Sequence, residues 1–151
     1  DQNGICGLNL VELDANYNEK ITNVSMMKSL RILYAGGECG LDQNGICGLN
    51  LVELDANGNE KIKNVSMMKS LRILYADGEC GIDQNGICGL DLVELNAGDN
   101  NKITNVSMMK SLKILNARGE CGIDQNGICG LNLDELYAYN NASLESRNKI
   151  H

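Results

Sequence analysis

The chain copies itself every 41 residues. Cys6, Cys47, Cys88 and Cys129 stand at that interval, as do Cys39, Cys80 and Cys121, and the text between them hardly changes. "GLNLVELDANYNEKITNVSMMKSLRILYAGGECG" is followed by "GLNLVELDANGNEKIKNVSMMKSLRILYADGECG". Such a period sets the architecture before any motif is weighed, because each copy can bury its apolar edge only against its neighbours.

Each unit divides again. Leu10-x-x-Leu13-x-Ala15-x-x-Asn18-x-x-Ile21 is echoed by Leu30-x-x-Leu33-x-Ala35-x-x-Glu38-x-x-Leu41. The second Leu of each frame recurs at Leu13, Leu33, Leu54, Leu74, Leu95, Leu115 and Leu136, in steps of 20 and 21 residues. Leu13 and Ala15 alternate, which predicts a short strand with both pointing inward. Leu10 enters from the preceding bend, and Ile21, Val24 and Met27 fill the interior beyond the strand. Composition agrees: with no Pro, Phe or Trp and only five Tyr, aromatic bulk is missing. Many shallow aliphatic layers suit this chain better than one deep core.

The frame resembles the leucine-rich repeat, L-x-x-L-x-L-x-x-N-x-L, with Ala at the third Leu position. The wording "NKITNV…MKSLKILNA" resembles repeats of amoeba-infecting giant viruses. The resemblance implies an α/β-type repeat solenoid, mostly β and irregular coil, forming an arc with one short parallel strand per coil on its concave face. Residues 1–9 then form a partial first repeat, 10–144 seven coils, and 145–151 a tail or weak cap. At about 4.8 Å per strand the stack is on the order of 34 Å long. The resemblance also implies that Asn18, Asn59, Asn100 and Asn141 form a ladder, bonding backbone groups of adjacent coils that burial would otherwise orphan. Glu38, Glu79 and Glu120 replace Asn in alternate frames. A buried carboxylate is costly, so these are expected to point outward, with the neighbouring Cys inside.

"DQNG", beginning at Asp1, Asp42, Asp83 and Asp124, falls on the far side of the coil from the strand. Asp, Asn and Gly are turn formers, so the stretch reads as a turn. A calcium loop of the EF-hand kind needs acidic or amide ligands at alternate positions and a distal Glu; "DQNGIC" and "DANGNE" both fail that pattern. The thiols of one column lie about 9.6 Å apart, beyond the ~7 Å limit for a disulfide. Within a coil, Cys39–Cys47, Cys80–Cys88 and Cys121–Cys129 are candidate bridges; reduced cysteines acting as small apolar residues are the alternative. Zinc wants about four ligands on one centre, and the sole His is His151, so no metal or other cofactor is expected. "NVS" at Asn23, Asn64 and Asn105 and "NAS" at Asn141 match N-x-[ST], which repetition alone multiplies.

No His–Ser–Asp set, zinc-protease motif or phosphate loop occurs, and every carboxylate pair has copies down the stack; an enzyme is not expected. A net charge of −7 without a basic stripe argues against nucleic acid and against a polybasic membrane contact. Function is better sought where copies differ. The residue after the strand Leu runs Asp14, Tyr34, Asp55, Tyr75, Asn96, Asn116, Tyr137. The neighbouring variable columns include Tyr17, Arg118 and Tyr139, and all five Tyr fall in these columns. Tyr offers rigid amphipathic contact area. The expectation is a non-enzymatic recognition scaffold that binds a protein or a glycan on the concave face. A structural protein stacking end to end through uncapped coils is the alternative, and near-identical copies also fit a consensus-built array without a native partner. Glu12, Arg31, Glu53, Arg72, Glu94, Lys113 and Glu135 alternate in sign and suggest cross-strand charge pairing.

Overall fold

In the computed structural model, residues 1–144 are described. They wind into a parallel β-solenoid whose strands are β1 (Glu12–Asp14), β2 (Ile32–Tyr34), β3 (Glu53–Asp55), β4 (Ile73–Tyr75), β5 (Glu94–Asn96), β6 (Ile114–Asn116) and β7 (Glu135–Tyr137). They form one seven-stranded sheet in chain order, every pairing parallel. The register sets Leu13 beside Leu33, Leu33 beside Leu54, and so on to Leu136. Like residues therefore stack in columns. The sole helix among the described residues is α1 (Gln2–Ile5), a single turn capped by the Asp1 carboxylate. Elsewhere the outer side of each coil is built of turns, so little of the α component of an α/β reading is present. A twenty-residue coil that spends three residues on its strand has room for turns but hardly for a second regular element.

The interior is a set of aliphatic columns. In the third coil Leu51, Leu54, Ala56, Ile62, Val65 and Met68 are buried, and in the fourth Leu71, Leu74, Ala76, Ile82, Ile87 and Leu90. Leu13 and Leu136, on the end strands, are only half-buried because each has a neighbouring coil on one side. Of each Met pair the second goes in (Met27, Met68, Met109) and the first stays out (Met26, Met67, Met108).

After each strand the chain turns through a left-handed residue. Gly37, Gly58, Gly78 and Gly119 fill that place, but so do Tyr17, Asp99 and Asn140 at φ 55, 55 and 61°. Glycine adopts that conformation freely and other residues less so. The side chains there are exposed, and that of Asp99 accepts from the Glu120 N–H of the next coil at 3.1 Å.

Away from the strands, the coils are joined in two alternating ways. Between an odd coil and the following even one the outer turns meet backbone to backbone. Gly40, Gly81 and Gly122 donate N–H to the carbonyls of Asn18, Asn59 and Asn100 (3.0, 2.9 and 3.1 Å), and Val24, Val65 and Val106 donate to Gly45, Gly86 and Gly127 (2.8, 2.9 and 2.8 Å). Nearer the strands side chains also join these coils, as where Asp77 N–H donates to Asn57 Oδ1 at 2.8 Å and Ser111 N–H to Asp91 Oδ1 at 2.9 Å. A Cβ on Gly81 would lie only 2.6 Å from the Ile62 carbonyl oxygen and closer still to that of Glu60. Between an even coil and the following odd one, side-chain amides make the join. Asn59 Nδ2 donates to the Ala35 and Leu41 carbonyls (2.8 and 3.2 Å), and Asn100 Nδ2 to those of Ala76 and Ile82 (2.9 and 3.1 Å). Gln43 completes that interface: its Nε2 donates to the Asn64 carbonyl (2.9 Å) and its Oε1 accepts from the Lys63 and Asn64 N–H groups (3.0 and 2.8 Å). Gln2 and Gln84 repeat the arrangement against Asn23 and Asn105. "DQNG" is thus a turn, with Asp42 Oδ1 accepting from Gly45 N–H at 2.8 Å, and also a bridge to the next coil.

Candidate functional site

The strand parity sends Leu13 and its copies inward and leaves the residues on either side of it facing out. Two columns therefore run across the open face of the sheet. One reads Glu12, Ile32, Glu53, Ile73, Glu94, Ile114, Glu135; the other reads Asp14, Tyr34, Asp55, Tyr75, Asn96, Asn116, Tyr137. All are half-buried or exposed. A third column borders them two residues on: Asn16, Gly36, Asn57, Asp77, Gly98, Arg118, Tyr139. Parallel sheets are normally covered on both faces, and among the described residues nothing covers this one.

The same register corrects the expected charge alternation. Glu12 stands one residue before its strand Leu whereas Arg31 stands two before, so they have opposite parity. Glu12 pairs with Ile32, and Ile32 with Glu53. The Arg31 guanidinium instead donates to the Lys28 and Leu30 carbonyls at 3.0 and 2.9 Å.

Charge on the open face is uneven. Glu12, Asp14, Glu53, Asp55, Asp77, Glu94 and Glu135 supply seven carboxylates, and Arg118 is the one cation in the three columns. The face thus carries −6 of the chain's −7, since the other 13 acids oppose 12 bases. Arg118 joins four coils: it pairs with Asp77 (3.0 Å) and Asp99 (3.7 Å) and donates to the Tyr139 hydroxyl (3.2 Å), while Asn96 donates to Asp77 (3.2 Å). Four positions at which the copies differ from one another meet in this network. Tyr17, at the other end of the stack, is exposed and lies against Gly37.

The carboxylates tune the phenols. Tyr34 is raised above its ordinary pKa, first by the charge of Glu53, then by burial and by Glu12. Tyr137 donates to Glu135 and is raised by that bond. Tyr75 is pushed up to about 12, by burial first and by the Glu94 charge second. A phenol held protonated by the fold means that the native chain keeps a proton the unfolded chain releases, so stability falls between pH 10 and about 12. Absorbance at the phenolate band should show Tyr75 ionising with a midpoint near 12. Glu94→Gln is expected to lower that midpoint only in part, because burial is the larger cause. Asp55 is also raised, by burial ahead of the neighbouring Asp14 and Asp77 charges.

The thiols divide by side. Cys39, Cys80 and Cys121 are buried, Cys6, Cys47, Cys88 and Cys129 are exposed, and all seven are free. The bridges Cys39–Cys47, Cys80–Cys88 and Cys121–Cys129 are accordingly not formed in this structure, one partner of each lying inside the coil and the other outside. Cys39 and Cys80 occupy the place that Asn holds in odd coils, their sulfurs accepting from the Leu41 and Ile82 N–H groups at 3.4 Å, while Glu38, Glu79 and Glu120 point to solvent. Burial pushes Cys80 up to about 11 and raises Cys39 and Cys121. A thiol reagent should therefore label four cysteines of the native protein quickly and the other three only on unfolding; were the pairs oxidised, Cys6 alone would react.

Of the four sequons, Asn23, Asn64 and Asn105 are exposed, each Oδ1 accepting from the following Ser hydroxyl at 2.7 Å. Asn141 is buried, its Nδ2 donating to the Ala117 and Ile123 carbonyls at 2.8 and 3.2 Å. Asn18, in the first coil, is half-buried and accepts from the Lys20 N–H at 3.1 Å. Among the described residues no group of three or more His, Cys, Asp or Glu is placed to hold a metal ion, and no helix is long and apolar enough to cross a membrane. His151 lies outside the described residues. Sequence reasoning found the column from Asp14 to Tyr137 and its border. It put Arg31, Arg72 and Lys113 where Ile32, Ile73 and Ile114 stand in the other column, and it missed the Gln2, Gln43 and Gln84 bridges and the convergence on Arg118. Gln is no turn former, and its retention within every "DQNG" was the available signal.

No family model, curated protein or solved structure matches the chain.

Proposed function

We propose that the protein is a non-enzymatic recognition scaffold that binds a protein, with a glycan as the other ligand class, through the open face of its sheet, the concave side of a leucine-rich-repeat-like solenoid. The observation that carries the reading is where the copies differ. Buried columns are almost invariant between copies, whereas all five Tyr and the changes Gly36/Asp77/Arg118 and Asn57/Gly98/Tyr139 stand on or beside this face. Exposed positions elsewhere, such as Thr22/Lys63/Thr104 and Glu60/Asn101, vary less widely in chemistry. Tyr34, Tyr75 and Tyr137 rise from it at intervals. Rigid two-torsion side chains give contact area at small entropic cost. Of the seven face carboxylates only Asp77 lacks a copy, which suits a surface that grips along its length better than one reacting centre.

The test is a panel of soluble proteins and glycans arrayed for binding, with each hit measured again on the Tyr34→Ala, Tyr75→Ala, Tyr137→Ala triple variant. Loss of at least about tenfold in affinity, roughly 1.4 kcal/mol, is expected for hits on this face. Hits indifferent to the triple variant would place recognition elsewhere and reject the reading.

A further inference from the structure

We infer that the partner of the sheet face is a cationic, extended protein segment lying along the solenoid axis, across the strands. The inference deepens the proposed function and rests on it. Its first ground is charge complementarity: the face concentrates nearly all of the molecule's net charge, with seven carboxylates and a single guanidinium already engaged by Asp77 and Asp99. Elsewhere 13 acids stand against 12 bases, with Glu19, Glu38, Glu60 and Glu79 gathered around Lys61 on the turns. A segment rich in Lys or Arg is drawn to the sheet face, where seven carboxylates face one guanidinium.

A second ground is chemical texture. A carboxylate row alone would hold cations loosely, as solvated surfaces do. Here Ile32, Ile73 and Ile114 separate the glutamates of one column, and in the other Tyr34 separates Asp14 from Asp55 and Tyr75 flanks Asp55 on its far side. The long aliphatic stems of Lys and Arg pack on apolar surface while their heads reach carboxylates, and the tyrosine rings offer cation–π faces.

Spacing supplies the third ground. Glu12, Glu53, Glu94 and Glu135 recur on every second strand, about 9.6 Å apart at ordinary strand spacing. A polyproline II segment returns to the same side every three residues, about 9.3 Å. Basic residues at every third position would therefore meet successive glutamates, and about nine residues would span the face.

The probe is a fluorescein-labelled peptide of about four Lys-Pro-Pro triplets, measured by anisotropy against the full chain at low salt. Its acetyl-lysine form and a Glu-Pro-Pro form serve as controls. Two double variants, each removing two charges, decide location: Glu53→Gln with Glu94→Gln on the face, and Glu60→Gln with Glu79→Gln away from it. Gln keeps the shape of Glu, and an unchanged thermal midpoint verifies folding. The Lys peptide should bind and both controls should not. The face variant should weaken it at least about tenfold and the distal variant less than about twofold. Raising salt should weaken it too. No binding, equal binding of the acetylated form, or equal loss in the two variants overturns the cationic inference. A neutral or acidic ligand lost in the triple Tyr variant would sink that inference while leaving the proposed face standing. Lys-peptide binding unaffected by the triple Tyr variant and by the face variant would remove both.

Discussion

Asn100→Ala is expected to cost about 3–5 kcal/mol of stability, more than a side chain of its size would suggest. Asn100 is fully buried. Its amide donates to the Ala76 and Ile82 carbonyls at 2.9 and 3.1 Å and its Oδ1 accepts from the Lys102 N–H at 3.0 Å. Alanine leaves two carbonyls of the preceding coil and one N–H of its own turn without partners, and no water can enter without opening the stack. Each orphaned buried group costs about 1–3 kcal/mol. Asn18→Ala supplies the contrast. Asn18 is half-buried and makes a single bond to Lys20 N–H, so its removal should cost under about 1 kcal/mol. Urea unfolding of the two variants measures the difference, and equal losses would mean that the buried ladder does not hold the coils together.

Gly81→Ala should be at least as damaging, by a different route. Gly81 N–H donates to the Asn59 carbonyl at 2.9 Å, and the chain comes so close that a methyl group would press on the Glu60 and Ile62 carbonyls. These are backbone atoms on both sides, so no rotamer change relieves the clash. The fourth coil must move off the third, taking buried aliphatic contacts with it. A loss of about 4 kcal/mol or more is expected. The comparison is Gly78→Ala, whose added methyl meets nothing within 4 Å. There only the left-handed φ of 67° is penalised, by about 1–2 kcal/mol. Thermal melts of the two variants separate contact from conformation: the Gly81 change should lower the midpoint by several times as much.

Much of this architecture was legible in the residues. The 20- and 21-residue steps between leucines placed every strand, and the parity of Leu13 and Ala15 told the inner face from the outer. That reasoning worked because stacking forces equivalent residues into columns, and a column must be uniformly apolar or uniformly exposed. It failed where the frames of the two half-units slide by one residue. Arg31 was set opposite Glu12, although alignment of the leucines puts Ile32 there. The inter-coil polar joins were less visible for another reason. Gln43 and Asn59 are ordinary letters in sequence, and only coordinates reveal that both reach across the same boundary. Of the open face, the sequence exposed the variable columns; the gathering of Asp77, Asp99, Arg118 and Tyr139 into one network required the turns that bring four coils' side chains together.

Because glycine seams and amide seams take turns along the stack, the molecule can lengthen or shorten only by even steps. Excising one coil would set two surfaces of the same kind against each other, with either a pair of glycine shelves and no amide to span them, or amides aimed at backbone already satisfied. Excising two restores the match. The 41-residue period of the sequence is thus the smallest unit that keeps both seams matched, and an array derived from this chain should be resized in that quantum.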